Sequence, residues 1–436
     1  MLKINNPELI PLIKSSYTAA DLNAINAFLA AHGTLDFKTL PNGLFPAADL
    51  QQDAQYTGYA SIWIRDNIHI AHAHLVAGKP AAAVAAVTSL LTYMKKQESR
   101  FITIITKQSD PQSVMLRPHV RFDGFTLSDI DQTWAHAQND ALGYLLWLYF
   151  KLADAGHITP SSGDLDFIAL FPHYFKALPF WADEDSGHWE ETRKVAASSI
   201  GVVTAALTMM RAYWSEKSLE GKHGATSYSV TLDLLDDLIS NGQSALHTIL
   251  PSECIQEAPT KKRRNDGALV FLIYPLDVLD EKTADTILSD TKATLQGDYG
   301  IRRYIGDSFW APGYKSKLSE DVRTADFSND LSARDAMLEK GQEAQWCIFD
   351  PTISTIYGRR YQATRSPEDL ALQIEYLNRS LGQITNTAGP YPAYRCPELY
   401  YIEDGYYVPS DATPLLWTQA NLLIALITME ASLKVS

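Results

Sequence analysis

Glu190 stands in His188-Trp189-Glu190-Glu191, and a second carboxylate, Glu398, stands far downstream in Pro397-Glu398-Leu399-Tyr400-Tyr401. Two carboxylates set among aromatic side chains are what hydrolysis of a glycosidic bond requires. One is held protonated to deliver its proton to the leaving oxygen, and the other is charged to activate water or attack carbon. A Trp against a carboxylic acid desolvates the charged form and moves the pKa toward neutrality. Alone, a Trp-Glu pair is more often an ordinary surface or helix-end element. The weight comes from the segments that accompany it.

Four further segments carry hydrogen-bonding and aromatic groups. In Trp63-Ile64-Arg65-Asp66-Asn67, an Arg beside an Asp offers fixed donors and acceptors for vicinal sugar hydroxyls, with a structural ion pair as the alternative. Trp134-Ala135-His136-Ala137-Gln138-Asn139-Asp140 packs one aromatic face and four hydrogen-bonding side chains just before a helix. Gly300-Ile301-Arg302-Arg303-Tyr304-Ile305-Gly306-Asp307 and Ser410-Asp411-Ala412-Thr413-Pro414-Leu415-Leu416-Trp417 complete the set. His69, His72 and His74 cluster, but no HExxH pattern or nearby carboxylate pair accompanies them, so no metal is expected. The chain has no GxGxxG, GxxxxGK[ST] or GxSxG pattern. Its chemistry is therefore expected from side chains, without a cofactor.

Helical periodicity supplies the elements that position these groups. Val84, Val87, Leu91 and Met94 follow one helix face, as do Leu142, Leu145, Tyr149 and Leu152. Ile200, Val203, Leu207, Met210 and Trp214 form a third stripe, and Leu416, Ala420, Leu423 and Ile427 a fourth. Helices apolar on more than one face, as over Ser199 to Met210, imply burial between layers. Phe101-Ile102-Thr103-Ile104-Ile105 is β-branched and reads as a short strand. No βαβ alternation and no fixed repeat is visible. The chain reads as all-α, with functional segments between helices. Residues 105–131 and 296–345 are the long connections; the second is the longer, and Gly313 and Gly341 flank a stretch that could close over a pocket. No Ser/Gly-rich linker divides the chain, so residues 1–436 read as one domain, with 1–50 as a helical lead-in.

The chain has 436 residues, 46% hydrophobic and 11% aromatic, with nine Trp and 22 Tyr, ample for a large core. The formal charge of −14 argues against nucleic acid as a partner. The basic run Lys261-Lys262-Arg263-Arg264 reads as a solvated loop. Three cysteines without a CxxC pair suit reduced thiols in a cytoplasmic protein. No secretory h-region follows Met1, and no run of apolar residues long enough for a membrane span is seen.

Taken together, these segments resemble glycoside hydrolase family 15, the glucoamylase family, and the related amino-terminal domain of phosphorylase kinase α and β regulatory subunits. The resemblance runs in the family's order from about residue 55 to 430. Trp63-Ile64-Arg65-Asp66 is similar to the family's W-x-R-D, which grips the terminal glucose. Trp134 through Asp140, including His136 and Gln138, resembles W-x-x-x-Q-x-D. Trp189-Glu190-Glu191 matches W-E-E, Arg303-Tyr304 a G-x-R-R-Y element, and Pro397-Glu398 the P-E of the base motif. Asp411 to Trp417 resembles the A-T-P-L-A-W that follows it. The resemblance implies an (α/α)6 barrel with catalytic loops at one end. It implies Glu190 as general acid and Glu398 as general base, with the two carboxyls far enough apart to admit a water. The implied outcome is inversion, releasing β-glucose from the ends of short α-linked gluco-oligosaccharides, with trehalose as a minor option. Sugar contacts are implied for Trp63, Arg65, Asp66, Trp134, His136, Gln138, Asp140, Trp189, Glu191, Arg303, Tyr304 and Trp417. Two departures stand out: Leu399-Tyr400 replaces the hydrolase spelling after the base, and His136 stands where fungal members carry Arg. The spelling around Glu398 and Glu343-Ala344-Gln345-Trp346 is nearer the kinase subunits, so a sugar-binding or regulatory module without turnover is the alternative.

Overall fold

The computed structural model describes residues 2–49, 58–214, 219–223, 226–323, 325–339, 341–389 and 391–435. Six helices form an inner ring: α2 (Ile64–Val76), α4 (Asn139–Asp154), α6 (Ala197–Tyr213), α8 (Val270–Ile273), α10 (Phe349–Thr364) and α12 (Leu416–Lys434). Each packs on the next, and α12 packs back on α2, which closes the ring. Outside it lie α1 (Ala19–Ala31) on α12, α3 (Pro80–Lys96) on α2, α7 (Leu232–Ile249) on α6, α9 (Glu281–Asp290) on α8 and α11 (Pro367–Gly382) on α10. The sixth outer position is filled by α5 (Leu170–Ala177), which packs on α7 and on a short helix, Glu98–Ile105. The result is the (α/α)6 toroid expected from the sequence. Its amino-terminal part is integral to it, since α1 is the outer partner of α12; of that lead-in, Met1 and Leu50 lie outside the described residues.

The two rings differ as their sequences require. Every residue of α2 from Ile64 to His74 is buried, and so is nearly all of α4. Outer helices bury one stripe only, such as Leu234, Leu235, Leu238, Gly242, Leu246 and Ile249 on α7. By length and composition α12 is apolar enough to cross a bilayer, yet 72% of its most apolar window is buried in the protein. It is a core helix with neighbours on several sides. Small residues let the inner helices approach. A Cβ on Gly143 of α4 would stand 3.1 Å from the Val203 backbone nitrogen of α6, and one on Gly201 of α6 would stand 2.3 Å from Leu272 of α8.

Helix starts differ in part between the rings, although the outer helices α3 and α5 lack side-chain caps. Outer helices α1, α7, α9 and α11 carry side-chain caps from Thr18, Thr231, Asp280 and Ser366. The residues before the six inner helices, Trp63, Gln138, Ala196, Leu269, Ile348 and Leu415, provide none. Distant segments meet several of these first-turn N–H groups instead. Asp185 accepts from Asn139 N–H at 2.9 Å, Glu253 from Ser198 N–H at 3.0 Å, and the Ala47 carbonyl from Leu416 N–H at 2.9 Å. The loops entering the inner ring are thereby tied to one another. Two three-stranded sheets brace them: Ile62–Trp63 with Arg121–Asp123 and Ser128–Asp129, and Gln345–Trp346 with Leu399–Glu403 and Tyr406–Pro409, all antiparallel.

Two local expectations are corrected. Residues 101–105 form the end of the helix Glu98–Ile105 rather than a strand. Phe101 and Ile104, one helical turn apart, are buried, and the Phe101 ring lies 5.0 Å from that of Phe171. This packing overrides the β-branched preference. The basic run at 261–264 is not a plain solvated loop. Lys262 and Arg264 are exposed, but Lys261 pairs with Glu184, and the Arg263 guanidinium lies over the Tyr304 ring at 3.3 Å and pairs with Asp266.

Candidate active site

The residue after the short 3-10 turn Gly187–Trp189 is Glu190, with φ 58° and ψ 39°. This left-handed conformation costs a side-chain-bearing residue roughly 1–2 kcal/mol, and such strain gathers at functional sites. The stem of the loop holds it there. Asp185 and Lys194 exchange backbone hydrogen bonds, at 3.0 and 3.1 Å. Arg117, fully buried, donates to both carboxylate oxygens of Asp183, at 2.6 and 2.9 Å, and to the Pro111 carbonyl at 2.8 Å. Breaking a buried pair by deleting one partner costs about 3–5 kcal/mol. Arg117→Ala is accordingly expected to lower stability by that order, read as a drop in the midpoint of denaturant unfolding with unchanged slope.

Around Glu190 the first turns of α2 and α4 converge. Arg65 donates to Glu190 Oε1 at 3.1 Å, to Asp140 Oδ2 at 2.7 Å and to Gln138 Oε1 at 3.1 Å. Burial raises the Glu190 pKa, and the Arg65 and Arg121 guanidiniums hold it back. Asp66 is pushed up to about 7 by burial against the pull of Arg65, with Glu190 adding to the rise. Glu398, on the loop entering α12, accepts from the Tyr59 hydroxyl at 2.6 Å and from Ser410 Oγ at 3.2 Å. Burial raises it to about 7, and those two hydrogen bonds oppose the rise. All three carboxyls line one cavity of roughly 1070 Å³, counting its open mouth.

A second cluster backs that cavity. Glu191 accepts from Arg303 at 2.8 Å and also from Arg334 and the Tyr304 hydroxyl. Burial alone would raise its pKa, but Arg303, Arg334 and Arg263 outweigh burial and hold it low. Arg303 is further fixed by Asp307 at 2.6 Å and lies 5.1 Å from the Trp189 ring and 4.9 Å from that of Trp346. Trp189 Nε1 donates to Asp266 at 2.8 Å.

The model for glycosyl hydrolases family 15 matches residues 33–351. The chain belongs to this family. Solved family-15-like folds agree. A wild-type glycosidase superposes with a TM-score of 0.61 at 15% identity, covering 95% of this chain and 99% of that one. The glucoamylase from Saccharomycopsis fibuligera gives 0.56 at 13% identity, covering 97% and 98%. A bacterial glucoamylase complexed with acarbose gives 0.57 at 13% identity, covering 90% and 53%. In sequence, a probable phosphorylase b kinase regulatory subunit alpha from Caenorhabditis elegans is 25% identical over 87% of this chain, which spans only 31% of that relative. The uncharacterized lipoprotein YgeQ of Escherichia coli K12 is 30% identical over 42% of this chain and 78% of its own length.

Within this family 15 cavity the sequence-derived residues divide into two groups. Trp63, Arg65, Asp66, Trp134, Trp189, Glu190, Arg303, Glu398 and Trp417 line it. Gln138, Asp140, Glu191, Tyr304 and His136 are not part of its lining and sit behind it. The first four of these hold the Arg65 and Arg303 guanidiniums or one another. His136 stacks on His119 at 3.7 Å and accepts the Val120 N–H, and burial drives its pKa down to about 2. The α2 histidines are occupied in aromatic packing: His69 against Trp417 at 4.3 Å, His72 against Trp147 at 5.2 Å, and His74 against Phe45 at 5.3 Å. Sequence reasoning missed Tyr59, Arg121, Phe309 and Trp310, whereas Ser410 opens a segment it singled out, and the wall residues Tyr314, Phe327 and Arg334 lie in the stretch between Gly313 and Gly341 that it placed near a pocket. Arg121 sits 4.8 Å from the Trp63 ring and 4.0 Å from that of Trp134, joining two aromatic walls. Its only sequence signal is a place in the polar connection 105–131.

Proposed function

We propose that the chain is an inverting exo-α-glucoside hydrolase that releases β-glucose from the non-reducing ends of short α-linked gluco-oligosaccharides. Glu190 is the general acid and Glu398 the general base. The carrying observation is that both carboxyls, with Asp66 and Arg65, line one cavity whose burial raises the pKa of each carboxyl. A base near 7 combines basicity with a large charged fraction at neutral pH, and the upward shift of the acid favours its protonated form. Leu399 and Tyr400, where the base motif departs from the hydrolase spelling, are not part of the cavity lining. They pair as strand residues with Trp346 and Gln345. Glucose release from maltose, isomaltose and trehalose, with the anomer followed by NMR, tests the proposal; absence of turnover on every α-glucoside, or release of α-glucose, would sink it.

The second reading is a sugar-binding regulatory module. The observation favouring it is the sequence match to a kinase regulatory subunit over most of the chain. Retained sugar binding without hydrolysis identifies that case.

The pH dependence follows from Glu398. Its charged form is the active one, so kcat/KM falls as pH drops through about 7, well above the usual carboxylate range. The Tyr59 hydroxyl stabilises the charged form. Tyr59→Phe therefore moves this acidic limb to higher pH. A limb that stayed in place would show that Glu398 does not set it.

A further inference from the structure

We propose that Arg121 is a positioning residue for the hydrolysis: its buried guanidinium, wedged between the Trp63 and Trp134 walls, presents a positive charge to the acid Glu190. This rests on the α-glucoside reading above. Arg121 itself is not part of the cavity lining, so it acts through other groups.

The backbone fixes its place. Arg121 stands opposite Trp63 in the antiparallel pair of Ile62–Trp63 with Arg121–Asp123. One residue earlier, the Val120 carbonyl accepts from Ile64 N–H at 3.1 Å, and Val120 N–H donates to His136 Nδ1 at 3.3 Å. The Trp63 and Trp134 rings meet edge to face at 74°, with centroids 6.1 Å apart. The guanidinium fills the corner they form, 4.8 Å from one ring and 4.0 Å from the other. Cation–π attraction offsets part of its lost hydration.

Its charge is less committed than that of Arg65. Arg65 touches Glu190 at 3.1 Å, but its shorter contact is with Asp140, at 2.7 Å. Among the described residues Arg121 has no such carboxylate contact: Nη1 donates to the neutral Gln132 Oε1 at 2.9 Å, and the buried Nε has no partner. Burial lowers the Arg121 pKa, and Glu190 and the Tyr59 hydroxyl oppose that fall. Reciprocally, burial raises the Glu190 pKa, and Arg65 and then Arg121 oppose the rise. The other titratable groups facing Glu190 are Asp66 of α2, Asp140 of α4 and Tyr59. His136, beside Arg121, is neutral because burial drives it to about 2. A buried acid that delivers its proton ends as a buried anion, and a fixed cation nearby lowers the cost of that charge.

The test is the pH dependence of kcat/KM on maltose for wild type, the neutral variants Arg121→Met and Arg121→Gln, and Arg121→Lys, which keeps the charge. Losing the charge weakens the acid, and the protonated acid is the active form. The basic limb therefore moves to higher pH in both neutral variants and stays near wild type in Arg121→Lys. On α-glucosyl fluoride, whose leaving group needs no proton, the neutral variants keep most of their rate. A basic limb unmoved by the neutral variants, or moved as far by Arg121→Lys, or equal losses on maltose and the fluoride, leaves Arg121 a spacer between two indoles and overturns the proposal. If wild type hydrolyses nothing, the hydrolase reading fails separately, and the carboxyl carbon-13 NMR signal of Glu190, identified by its absence in Glu190→Gln, still decides the charge. A titration midpoint raised in the neutral variants supports its action on Glu190, and coincident titrations overturn it.

Discussion

Glu398→Gln is expected to lower kcat for maltose by roughly 10²–10⁴-fold, the usual contribution of a positioned general base. The substitution keeps shape: the Gln carbonyl oxygen still accepts from the Tyr59 hydroxyl, and its amide N–H can donate to Ser410 Oγ. Affinity for glucose should therefore change little, and the loss should appear in kcat rather than KM. Stability supplies an independent check. Glu398 is raised from 4.5 to about 7 in the folded protein. A carboxyl with a raised folded pKa favours the fold while protonated, below its unfolded value, and this contribution is lost as pH rises through about 7. Full ionisation costs of order 3 kcal/mol by that shift. Gln cannot ionise, so the variant should melt above wild type at pH 8 and show no gain at pH 5. An inactive variant without that crossover would point to distortion of the hairpin rather than loss of a base.

Glu190→Gln is expected to cost a similar 10²–10⁴-fold on maltose, but the loss depends on the leaving group. A glucoside oxygen needs a proton as it departs, whereas fluoride leaves without one. The variant should retain most of its rate on α-glucosyl fluoride, and Glu398→Gln should not. Arg65 keeps Asp140 and Gln138 as partners, so the α2–α4 junction stays intact. Equal losses on both substrates would remove Glu190 from the acid role.

How far the chain could be read from sequence depended on the range of the forces involved. The stripes on α3, α4 and α6 are local 3.6-residue patterns and were legible, because an apolar face must be buried whatever covers it. Residues 101–105 were misread, because the partners that decide their conformation, Phe167 and Phe171, lie far along the chain. The inner-ring starts gave no capping signature, because their N–H groups are met by Asp185, Glu253 and Ala47 from other loops.

By itself the sequence determined an all-α chain through its helical periodicity, while the toroid and the ordered residues Arg65, Asp66, Glu190, Arg303 and Glu398 followed from the resemblance of its short motifs to family 15. Tertiary structure alone decided which of them face the cavity. It turned Gln138, Asp140, Glu191 and Tyr304 into supports, and brought in Tyr59, Arg121 and Phe327. The pKa of each carboxyl was likewise decided in three dimensions. Desolvation and charge act through space between groups that chain order leaves far apart.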